Sequence, residues 1–247
     1  MKYTKSIPLD VEYIRMIAAA IPDAYYLYKE HFEENNFPTD NGREGEIWNY
    51  INKCISDNIP ADQFQIVIMN RGRWKFLAIF DKKVGYLYTL MREKNLANIQ
   101  KKISEHLFHY LNALSTLNDD LASNYELVYE QLTLFNTDMY NADQNTVLEK
   151  ILTSMTRKFD SSIKRYVLIA FDNDKYGMVG DIKGIIPAKG LNFYKEENWT
   201  IYLDATYDLT ETSAQESIVN DDVILLQRKA NIKRVDKEKV REKNKMN

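Results

Sequence analysis

The sequence predicts an α+β protein in which amphipathic helices pack on antiparallel β-meanders. Three observations carry that prediction. Apolar residues recur at helical spacing over the first 60 residues and again from residue 96. Two groups of short β-rich runs, at 64–91 and 165–204, are divided by tight turns. Glycine and proline are scarce, at eight and five of 247 residues, which leaves little room for linkers.

In chain order, Asp10 stands as an N-cap for "VEYIRMIAAAI", and Pro22 suits the first turn of a second helix through "DAYYLYKEHFEE". A loop, "NNFPTDNGRE", leads to "GEIWNYINKCISDN", where Ile47, Tyr50, Ile51, Cys54 and Ile55 form one stripe. Cys54 on that stripe reads as core. Three strands follow, "FQIVIM" (64–69), "RWKFLAIF" (73–80) and "VGYLYTLM" (84–91), with turns at 70–72 and 81–83. Strand parity sets Trp74 with Phe76, Ala78 and Phe80, away from Arg73 and Lys75, and predicts Trp74 in the core.

From Leu96 to Phe135 apolar residues repeat every three or four positions. Unbroken, that stripe is a helix about 60 Å long; broken at "NDD" or "ASN" (118–124) it is a helical hairpin. Either form offers a surface for homodimerisation. The helix "NTVLEKILTSMTRKF" is expected to bury Val147, Leu148, Ile151, Leu152, Met155 and Phe159. "RYVLIAF", "YGMVGDIKGII" and "NWTIYLD" read as a second antiparallel sheet. The expected organisation is helices plus a first meander (1–94), an acidic helical region (95–142), a helix plus second sheet (143–226) and a basic tail (227–247). The two halves suggest similar sub-domains, and the tail has the composition of a disordered segment.

Charge is distributed unevenly about a net −3. Residues 71–102 hold nine basic and two acidic side chains, whereas 103–149 hold eight acids and no Lys or Arg. Such asymmetry marks interaction surfaces, or surfaces that neutralise each other within the chain. Arg71, Arg73, Lys75, Lys82, Lys83, Arg92 and Lys94 form the candidate nucleic-acid-binding set, because clustered cations bind phosphates by releasing counterions. The acidic stretch would instead dock a basic, co-encoded protein or pair with the protein's own basic segments.

Asp172, Asp174 and Asp181 are the catalytic alternative: carboxylates at a strand end can hold Mg²⁺ for a metal-dependent nuclease. An Asp-Asn-Asp-Lys stretch is also an ordinary hairpin turn. A restriction-type nuclease core would add Glu-x-Lys on an adjoining strand, and the sequence lacks that pattern. Glu105, His106 and His109 are a weaker metal-ligand candidate, without HExxH or ExxH spacing. A P-loop, GxGxxG and GxSxG are missing, so no cofactor is expected. A single cysteine excludes an internal disulfide and fits a reducing cytoplasm. The first residues lack a secretory leader, and no apolar run approaches membrane length.

"GREGEIWNYI", "NRGRWKFLAIFDKKVGYLY" and "YGMVGDIKGIIP" together resemble a family from low-GC Gram-positive bacteria and their mobile elements, to which no activity is assigned. The resemblance implies a bacterial or phage cytoplasmic protein in a regulatory, toxin–antitoxin or phage-conflict setting. It transfers no functional residues. The expectation from the residues is a non-enzymatic binding protein acting through the basic 71–102 and acidic 103–149 surfaces.

Overall fold

The computed structural model describes residues 7–102, 108–123, 142–159 and 161–203. The expected basic tail, 227–247, lies outside them. Helices α1 (Val11–Asn35) and α2 (Arg43–Asn58) precede strands β1 (Phe64–Arg71), β2 (Trp74–Asp81) and β3 (Tyr86–Arg92). Helices α3 (Glu93–Lys101) and α4 (Tyr110–Ser115) follow, with a 3₁₀ helix at Thr116–Ser123 and α5 at Ala142–Thr156. Strands β4 (Arg165–Asn173), β5 (Val179–Pro187) and β6 (Phe193–Asn198) complete the sheet. The class is α+β, as the sequence predicts.

The two meanders are parts of one sheet. Strand order is β1-β2-β3-β4-β5-β6, and β3 pairs with β4 in parallel from Tyr86↔Arg165 to Arg92↔Phe171. All other neighbours are antiparallel. A parallel pair requires a crossover, and here the segment containing α3, α4 and α5 supplies it. The centre of the sheet is buried on both faces, so β2, β3 and β4 read as continuous apolar runs. One face packs Leu77, Ile79, Val167 and Ile169 against Ile14, Ile17, Ile21 and Ile51 of α1 and α2. The other packs Phe80, Leu87, Leu168 and Ile185 against Leu96, Ile99, Leu111 and Leu114 of α3 and α4.

Four expectations are corrected. Pro22 does not begin a second helix but lies inside the 25-residue α1. An internal proline costs about 3 kcal/mol, and the stripe of Ile14, Ile17, Ile21, Ala24 and Tyr28 continues through it into the core, offsetting that penalty. The stripe from Leu96 breaks earlier than the expected 118–124 turn: Lys102 leaves helical geometry (φ −115°, ψ 40°), and His109 is extended before α4. Of "NWTIYLD", only Asn198 is in a strand, and residues 199–203 are not. The sixth strand is the more polar "FYKEEN", and Thr200–Tyr202 forms a 3₁₀ turn beneath which Trp199 is buried. On α5, Leu148 is buried but Val147 is 38% exposed.

One buried side chain ties the crossover to the sheet. Asn118 donates to the Tyr166 and Pro187 carbonyls and accepts from the Tyr166 N–H, serving backbone groups beyond the Leu168↔Ile185 pairing. No helix among the described residues is long and apolar enough to cross a membrane.

Candidate nucleic-acid interface

The β1–β2 hairpin closes with Gly72 and Arg73 between the paired residues Arg71 and Trp74, and Gly72 has φ +58°, the left-handed geometry such a turn requires. β1 and β2 stay paired to this tip, whereas β2 and β3 pair only over Ala78–Asp81 and Tyr86–Thr89. The tip therefore projects past the ladder that joins it to the rest of the sheet. Trp74 is consequently 43% exposed, which corrects the expectation that it lies in the core. Parity predicts burial only where a second layer covers the face, and the alternation holds from Phe76 onward.

Trp74 makes an edge contact with Trp48 of α2, with centroids 6.4 Å apart and planes at 86°. Trp48 continues onto Phe171 at 5.9 Å and lies beneath the Arg92 guanidinium, also at 5.9 Å. Between α2 and the start of β2 is a pocket of about 360 Å³, lined by Glu46, Trp48, Asn49, Arg73, Trp74 and Lys75 among others. Arg73 and Lys75 are exposed and form no ion pair with a described residue. Arg71 places its guanidinium 5.8 Å from the centre of the Tyr110 ring.

Arg92 ends β3 at the same edge. It bonds Glu44 and donates to the Tyr25 hydroxyl, which also accepts from Asn173 of β4. The next residue, Glu93, reaches Lys183 of β5 at 2.8 Å. Lys183 lies 3.1 Å from Asp181 and 3.7 Å from Glu196. Burial alone would raise the Asp181 carboxyl pKa, but hydrogen bonds from Thr200 and Lys183, with the lysine's charge, hold it below its ordinary value.

The seven predicted basic residues divide between two ends of the sheet. Arg71, Arg73, Lys75, Arg92 and Lys94 gather at the carboxyl ends of β1 and β3. Lys82 and Lys83 follow the far end of β2, about 26 Å away by strand length, and Lys82 is tied to the Ala61 and Asp62 carbonyls. Asp172 and Asp181 are cross-strand partners, so both join the first edge. Asp174 accepts through Oδ1 from the Tyr176 and Met178 amides and shapes its own turn. His109 caps α4, its Nδ1 accepting from the Leu111 N–H at 3.2 Å, while Glu105 and His106 lie outside the described residues. Among the described residues no group of three or more His, Cys, Asp or Glu side chains is placed to hold a metal. About half of the acidic 103–149 stretch lies outside the described residues; within the rest, Asp120 pairs at 2.7 Å with Arg165.

Sequence reasoning missed Trp48, Glu46 and Asn49, which are on α2 and reach the tip only through tertiary packing. It also missed Lys183, although Asp181-Ile182-Lys183 is a visible Asp-x-Lys, the shorter relative of the motif sought with glutamate.

No curated protein and no solved structure matches the chain. One family model, described as a family of unknown function, matches residues 6–246, and with nearly its whole length covered the protein belongs to that family, DUF5986.

Proposed function

We propose that this protein binds nucleic acid through the β1–β2 tip, with Arg71, Arg73 and Lys75 contacting phosphates and Trp74 stacking on a base. The observation that carries the reading is the exposure of Trp74 between two cations that lack ion-pair partners among the described residues. Clustered cations supply salt-dependent affinity, and an exposed aromatic among them supplies a stacking platform. Arg92, held by Glu44 and Tyr25, positions Trp48 behind the tip. Fluorescence anisotropy with a labelled oligonucleotide tests this. Binding should weaken with salt, and R71A/R73A/K75A should reduce the log–log salt slope by about 2 for single strands, at roughly 0.7 per phosphate contact. Failure to bind DNA or RNA at low salt sinks the reading.

A second reading, metal-dependent cleavage, has one favourable observation. Asp172 and Asp181 face each other across β4 and β5, and Lys183 stands two residues on from Asp181. Mg²⁺ is commonly held by one or two carboxylates together with water and substrate phosphates. The Asp181 oxygens are already engaged, one by Thr200 and the other by Lys183, so Asp172 is the freer ligand. Cleavage of a nucleic-acid panel with Mg²⁺ or Mn²⁺, lost on Asp172→Ala, supports this reading; no cleavage with either metal removes it.

A further inference from the structure

The pocket beside the tip has a glycine in its wall. Gly45 is the third residue of α2, and glycine within a helix is less stable than alanine. Packing does not demand it, because a Cβ at position 45 would meet nothing within 4 Å. Gly45 lines the same pocket as Trp48, Asn49 and Trp74, so a side chain there would project into open space that α2 otherwise leaves free. Residue 45 thus keeps the pocket open without contributing to the core.

We infer that this pocket receives one unstacked nucleobase of a single-stranded nucleic acid, an inference that rests on the nucleic-acid reading of the tip. At about 360 Å³ the space is at the small end of ligand pockets, suited to one base and its sugar. Its walls have the needed chemistry: an exposed indole for the π-face, Asn49 and Glu46 for the base edge, and Arg73 and Lys75 for adjoining phosphates. A base within a duplex cannot reach such a site without leaving its stack, which selects single strands.

The experiment uses the full chain with labelled 12-nucleotide DNA and RNA, the matching duplexes, and free nucleoside monophosphates as competitors. Single strands should bind at least tenfold tighter than duplexes and quench tryptophan fluorescence. Gly45→Leu should lower single-strand affinity about ten- to a hundredfold, the range for losing one stacked base, with no loss of thermal stability. Trp74→Ala should act in the same direction, so the test survives if the leucine variant folds poorly. Equal affinity for single strands and duplexes, with both variants unaffected, would overturn base capture while leaving phosphate binding by the tip intact. Monophosphates competing as well as the strand would reassign the pocket to free nucleotides and overturn the single-strand inference. No binding of any nucleic acid would remove both this inference and the reading beneath it.

Discussion

Lys183 concentrates three carboxylates on one ammonium. Glu93 comes from α3, Asp181 from its own strand and Glu196 from β6, so three elements meet at one side chain. The Asp181 carboxyl is held below its ordinary pKa, so its contribution is present above the unfolded value of about 3.9 and is lost as pH falls through the folded pKa. Lys183→Met should destabilise the protein by about 1–3 kcal/mol at pH 7, because charge-assisted bonds are broken. It should also raise the Asp181 pKa. Chemical denaturation between pH 7 and pH 2 should show the gap between variant and parent narrowing with acid, and a gap independent of pH would contradict the linkage. The same residue scale explains what Cys54 does. Buried on the α2 stripe, with its thiol pKa raised by desolvation, it is poorly placed to react and behaves as a small apolar side chain.

Elements here meet closely where a residue has no side chain. Gly184 of β5 lies directly under Trp199, and a Cβ built on it would come within 2.1 Å of the indole. Trp199 is 1% exposed and cannot retreat into solvent without uncovering the α1 face of the sheet. Gly184→Ala is expected to cost about 3 kcal/mol or more through overpacking, measured as a fall in the urea midpoint; an unchanged midpoint would contradict the contact. Much at this scale was legible beforehand. The β1–β3 and β4–β5 runs, the α2 stripe and the Gly72 turn follow from local pattern, because each signal lies within a few residues. Pro22 and "FYKEEN" were not legible, since tertiary burial overrides the proline penalty and a polar edge strand carries little periodic signal. The candidate site was half legible. Its cations stand together in "NRGRWK", but the exposure of Trp74 depends on where the β2–β3 ladder stops, and Trp48 arrives from a different element.

At the scale of the whole molecule, the parallel β3–β4 seam joins the two halves into one sheet with helices on both faces. It also places Arg92 and Glu93 beside Asn173 and Lys183, so the tip and the acidic cluster share an edge. That shared edge is made by the β3–β4 pairing, and neither half would create it alone. Sequence pattern could not reveal the seam, because strand runs do not announce their partners.

The seam also has a consequence in time. Tyr86 pairs with Arg165, a separation of 79 residues, so β3 leaves the ribosome well before its second neighbour exists. At about 5–20 residues per second of synthesis, its apolar edge waits roughly 4–16 s for β4. During that interval "YLYTLM" is an open template for any strand nearby, and long-range pairing of this kind slows folding. Yield in the cell should therefore depend on what shields β3 while the crossover is being made.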